Sequence, residues 1–200
     1  MSPMNYRKDN SISYKIKNRV SILGRFISIF WVLELLDLLI FKGYLDRFGI
    51  IPHKLIGLRG ILFAPFLHGG LGHLIANTIP FIVLSWFVML QKTSDFWIVT
   101  LLTMIVGGFG VWLFGVPGSV HIGASLLIFG YLGFLLLRGY FQRNFVSIFL
   151  SIIVSFLYGG LVLGMLPFSP GISWEGHLFG FLGGVLAAKL IANEKQGSLS

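Results

Sequence analysis

Three short stretches carry the side chains that could do covalent chemistry. They are His68-Gly-Gly-Leu-Gly-His73-Leu-Ile-Ala-Asn77, His121-Ile-Gly-Ala-Ser125 and Trp174-Glu175-Gly176-His177. A serine hydroxyl is a poor nucleophile until a base takes its proton. Histidine suits that task because its imidazole titrates near neutrality. Ser125 and His177 therefore form a candidate nucleophile and base. A tetrahedral intermediate also needs donors aimed at its oxyanion. His73 and Asn77, four residues apart and so on one helical face, could supply them together with the Ser125 backbone N–H. Taken singly, each has a plain structural reading. A serine in an apolar helix often bonds its own backbone one turn back, and His or Asn often hydrogen-bonds a neighbouring helix.

Other hydrolytic chemistries lack their residues. Cysteine is absent, which removes thiol nucleophiles, disulfides and thiolate metal sites. No HExxH occurs on any apolar stretch, so the zinc-peptidase arrangement is missing. An aspartyl pair needs two Asp on neighbouring spans, whereas Asp95 falls between spans and leaves Asp37 alone.

The elements that position these residues follow from composition. Of 200 residues 56% are hydrophobic and 11% charged, against about 25% charged in a soluble domain. Mean hydropathy is +0.87. Apolar runs at about 20–41, 70–90, 96–114, 121–140, 144–164 and 173–192 each approach the roughly 20 residues that cross a bilayer. Lipid admits only helices or closed barrels, and no alternating strand pattern persists. The expected fold is an all-α membrane bundle of six transmembrane helices. Residues 1–19 form a basic N-terminal arm, 20–192 the membrane domain and 193–200 a short polar tail. Residues 42–69 are too apolar for a free loop and too interrupted by Gly and Pro for a span. A partly membrane-embedded element fits them best.

The net charge of +8 lies mostly at the N-terminus and in alternate connections, with no basic-aromatic surface for nucleic acid. With the N-terminus cytoplasmic, eleven of the 15 Lys and Arg fall inside, Arg138 among them, so N-in/C-in is expected. Spans two, four and six then begin on the outer side. His73 and Asn77, Ser125 and His177 lie within about two turns of those beginnings, at one shallow depth. Gly176, Gly180 and Gly184 recur every four residues on the last span, a face for close helix packing.

In order and topology these stretches resemble the rhomboid family of intramembrane serine proteases, over about residues 59–190. The resemblance implies that Ser125 is the nucleophile and His177 the general base. It implies that His73 and Asn77 stabilise the oxyanion, and that Gly180 and Gly184 bring the last helix against the serine helix. Residues 41–65 would be the family's embedded first loop, and 167–173 the loop capping the site. Phe129, one turn after Ser125, would be an aromatic platform for His177. The family uses no metal or organic cofactor. Its partners are transmembrane protein substrates, cut near the outer face of the lipid bilayer. A bacterial-type cell (inner) membrane is the expected location. Two departures are visible. Leu126 follows the serine where Gly is usual, giving GASL, and Arg59-Gly60 stands where many members carry Trp-Arg.

The alternative reading is a relative that binds membrane proteins without cleaving them, and Leu126 is its main support. A transporter is a third reading, based on Ser147, Ser151, Ser155 and Gly159 at four-residue intervals and on the acids Glu34 and Asp37 in the first span.

Overall fold

The computed structural model describes the backbone of residues 3–167 and 173–197 and the side chains of 12–167 and 173–194. Among the described residues the chain is helical, without strands, and carries one isolated antiparallel bridge between Ile50 and His121.

Helix α1 runs unbroken over Pro3–Leu36, so the basic arm and the first apolar run share one helix. It loosens into a π turn at Asp37–Phe41, closed by Lys42 in the left-handed region (φ 52°). The Asp37 carboxylate accepts the Leu45 N–H at 2.8 Å and so ties the helix end to the connection that follows. Residues 45–66 contain three short 3₁₀ turns and the single-turn helix α2, Gly60–Phe63, with 49–54 irregular between the first two turns. The core helices follow: α3 Leu71–Met89, α4 Thr93–Phe114, α5 Ser125–Gln142, α6 Phe145–Tyr158 with a 3₁₀ continuation to Met165, and α7 Trp174–Gly197.

Five of these helices are long and apolar enough to cross a membrane: Leu71–Met89, Thr93–Phe114, Ser125–Gln142, Phe145–Met165 and Trp174–Glu194. The run at 20–41, expected as a sixth, is not among them. Arg25, Glu34 and Asp37 lower its apolarity, and its last turn is the π segment. The fourth run also starts later than expected, at Ser125 rather than 121. Gly123 has φ +118°, which no helix contains, so 121–124 approach the helix as an irregular segment.

Helix α7 lies in the centre against α4 and α5. Its approach to α5 is at backbone distance. A Cβ at Gly180 would overlap the Leu126 carbonyl oxygen, and one at Gly184 would overlap the Gly130 carbonyl oxygen. Small residues let helices come this close in lipid, where dispersion and weak polar contacts replace the hydrophobic drive. Around the α1, α3, α4 and α5 contact, Phe26, Phe30, Phe66, Phe81, Phe96 and Tyr131 form a stacked and edge-on cluster.

At the other end of α5, Arg138 is fully buried. Its guanidinium binds the Asp95 carboxylate at 2.7 Å and the side-chain oxygens of Gln91 and Gln142 at 2.8 and 3.0 Å. Ser147 accepts from Gln91 and donates to Gln142. Ser151 donates to the Leu135 carbonyl and accepts from the Gly139 N–H. The first two serines of the four-residue series thus fasten α6 to its surroundings rather than line a polar path.

Candidate active site

Ser125 is the first residue of α5, and its half-buried hydroxyl faces a cavity of about 740 Å³. The turn that places it is fixed from two sides. The Gly123 N–H donates to the Ala64 carbonyl at 2.9 Å, and the Ala124 N–H donates to His68 Nε2 at 3.4 Å. Burial, with the His73 ring beside it, pushes His68 down to about 4, so the ring is neutral and its Nε2 free to accept. The backbone N–H groups of the first turn of α5 have no partner within the helix and are available as donors beside the serine.

Gly123 is required here for a second reason. A Cβ on it would sit 2.7 Å from His73 Nε2 and 3.7 Å from Ser125 Oγ. The space over Gly123 is therefore shared by the imidazole and the hydroxyl. Gly123→Ala should lose about 1–3 kcal/mol from backbone strain alone and push the His73 ring aside. Thermal unfolding in detergent checks the first effect.

His177 lies in the first turn of α7, one residue after Gly176. Ser173 caps that helix, its hydroxyl accepting the Gly176 N–H at 3.2 Å while its carbonyl accepts the His177 N–H at 3.1 Å. Such a cap stabilises a helix start by about 1 kcal/mol. The His177 ring stacks on Phe129 with centroids 3.9 Å apart and planes 6° from parallel. Its Nδ1 lies 2.8 Å from the Gly164 carbonyl oxygen. A carbonyl can only accept, so Nδ1 carries the hydrogen and Nε2 keeps its lone pair. That is the tautomer a general base needs.

On α3, the N-terminus opens at Gly70 (φ +116°) and puts His73 and Asn77 one turn apart. The Gly69 N–H approaches His73 Nδ1 at 3.4 Å, which leaves Nε2–H as the donor toward Gly123. The Asn77 amide gives one hydrogen to the His73 carbonyl at 2.9 Å and keeps the other. His73, Asn77, Ser125 and His177 all line the same cavity. Gly180 and Gly184 lie below it on the α5–α7 contact. The expected capping loop at 167–173 falls mostly outside the described residues. Among these, Ser173 and Trp174 line the cavity.

Leu126, which stands where Gly is usual, is accommodated. It is buried against Gly107 of α4, where the missing side chain leaves it room. His121 escaped the reading of the sequence. It lines the cavity and bonds Ser119 and Ser173. Gly164, which fixes the base, could not have been found, because its contribution is a main-chain oxygen. Ser173 was also missed, and its signal was a serine three positions before Gly176 and ahead of an apolar run.

Comparison with known proteins agrees with this architecture. A rhomboid-domain profile matches residues 57–194. Uncharacterized proteins of Mycobacterium tuberculosis and Mycobacterium bovis are each 45% identical over 175 residues, covering 84% of this chain and 72% of theirs. One from Mycobacterium leprae is 43% identical, covering 84% and 69%. With the profile spanning most of its length and its apolar helices embedding it in a membrane, the chain belongs to the rhomboid family.

Proposed function

We propose that this protein is an intramembrane serine endopeptidase that cleaves transmembrane protein substrates near the outer face with a Ser125–His177 dyad. One observation carries the reading. A serine at a helix start and a histidine whose Nδ1–H is held by a carbonyl line one cavity, across a helix contact closed by Gly180 and Gly184. In this reading α1 is the first of six crossings and both termini are cytoplasmic. That is supported by the basic arm being continuous with α1, and by α3, α5 and α7 all opening at the cavity end.

His177 Nε2 takes the hydroxyl proton as Ser125 Oγ bonds to the substrate carbonyl carbon. The oxyanion is met by His73 Nε2–H, Asn77 Nδ2–H and the Ser125 N–H. His177 returns the proton to the departing amine as the peptide bond breaks. Water, activated by the same nitrogen, then releases the acyl group and restores the hydroxyl. Phe129 holds the ring plane and Gly164 the tautomer through both steps.

The test is labelling of detergent-purified protein with a fluorophosphonate probe, with Ser125→Ala as blank. Labelling of wild type alone supports the reading, and absence of labelling from folded wild type sinks it in favour of a relative that binds without cleaving. Leu126 favours that second reading only by its identity, since its side chain is well accommodated. Leu126→Gly should therefore reduce stability by about 3–5 kcal/mol through the cavity left at Gly107 and the helical glycine. Urea titration of the variant in detergent checks this.

A further inference from the structure

The cavity wall holds a third imidazole, His121, with both nitrogens engaged. His121 Nε2 lies 2.7 Å from Ser119 Oγ, and its Nδ1 lies 2.6 Å from Ser173 Oγ. The hydrogens can be placed. Ser119 Oγ donates its proton to the Val116 carbonyl at 2.6 Å, so it must accept from Nε2–H. Nδ1 of a neutral ring then accepts from the Ser173 hydroxyl, which itself accepts the Gly176 N–H. The result is one directed chain: Gly176 N–H to Ser173, Ser173 to His121, His121 to Ser119, Ser119 to Val116. Burial holds the His121 pKa below the ordinary imidazole range, opposed by Glu175 on α7, and so favours the neutral ring the chain requires.

The backbone of the same residue makes a second tie. His121 N–H donates to the Ile50 carbonyl at 2.9 Å, and the Ile50 N–H donates to the His121 carbonyl at 3.0 Å. Three pieces of chain therefore meet at this residue: the connection after α1, the segment that leads four residues on to Ser125, and the cap of the helix that carries His177.

We propose that His121 is a positioning residue that, through Ser173, fixes the first turn of α7 and hence the base His177 relative to Ser125. Its effect on rate rests on the Ser125–His177 reading, but its effect on α7 does not. His121 touches neither Ser125 nor His177 in any described hydrogen bond. It acts through the N-cap.

The experiment pairs two readouts on full-length protein in detergent. Hydrogen exchange is followed on peptides covering residues 174–180. The concentration dependence of fluorophosphonate labelling is resolved into kinact and KI. His121→Phe keeps the ring and removes both hydrogen bonds, and Ser173→Ala removes the cap. Each should speed exchange in the first turn of α7 by about tenfold as local opening becomes easier. Each should also lower kinact by about ten- to a hundredfold with KI nearly unchanged, as expected of a misplaced base. The double variant should be no worse than Ser173→Ala, because both act on one chain. His121→Asn, which returns an acceptor near Nδ1, should recover most of both readouts, and it carries the test if the Phe variant does not fold. Unchanged exchange in His121→Phe and Ser173→Ala, or multiplicative effects in the double variant, would overturn the proposal. If wild type is never labelled, the protease reading fails and exchange alone decides the role of His121.

Discussion

Removing the base should slow fluorophosphonate labelling by about 10³- to 10⁴-fold in His177→Ala, the size expected when a general base is lost from a serine dyad. Ser125→Ala should show no reaction, because the attacking oxygen is gone. Asn77→Ala should fall between, losing about 10²- to 10³-fold for one oxyanion donor. The order of the three variants tells an activated serine from adventitious phosphonylation, which would ignore His177 and Asn77. The His177 effect should not be reproduced in full by Gly164→Ala, although its Cβ would come within 3.1 Å of Phe129 and 3.4 Å of His177 Nδ1. The partner of Nδ1 is the main-chain oxygen of Gly164 and survives such a change, provided the 3₁₀ segment keeps its place. His177→Ala should remain folded, since the His177 ring itself lines the cavity and lies outside the aromatic cluster that joins α1, α3, α4 and α5.

Asp95→Ala should destabilise the protein by about 3–5 kcal/mol, because it leaves a buried guanidinium without its counter-charge. Arg138 has 0% side-chain exposure, and its 2.7 Å bond to Asp95 joins α5 to α4 at the end of the molecule opposite the cavity. The Gln91 and Gln142 oxygens remain as neutral acceptors and hold the loss toward the lower figure. The double change Asp95→Leu with Arg138→Met should be less damaging than Asp95→Ala alone, since no unpaired charge is left behind. Thermal unfolding in detergent across the three proteins tests both statements, and a double variant worse than the single one would show that the polar network itself specifies the packing. Arg138, counted with the cations on the cytoplasmic side, is a buried group paired with Asp95.

How far the sequence could be read depended on the kind of interaction. Ser125, His177, His73 and Asn77 were legible because polar side chains stand out in apolar runs. The structure places all four around one cavity. Gly180 and Gly184 were legible from their spacing, and both fall where α7 meets the α5 backbone. What could not be read was conveyed by main-chain atoms or by conformation. The carbonyl of Gly164 has no signature in the residue type. The positive φ of Gly123 delays α5 to Ser125, four residues later than the apolar run suggested. The first apolar run falls short of the apolarity of the other five because Arg25, Glu34 and Asp37 interrupt it, and Asp37 accepts the Leu45 N–H. His121 was passed over because its partners, Ser119 and Ser173, lie 2 and 52 positions away and only the fold brings all three together.

The fit between Leu126 and Gly107 has a consequence for descent. A Cβ at Gly107 would come within 3.0–3.1 Å of the Leu126 side chain, so a larger residue there requires Leu126 to give way. Conversely, a lineage that restores Gly after the serine opens a hole that a larger residue at 107 would fill. The two positions, on different helices and 19 apart in the chain, are coupled through this contact. Among homologous chains a small residue at one should accompany a large residue at the other. An ancestor that changed one first would have passed through a less stable intermediate, which makes the GASL form easy to keep once acquired.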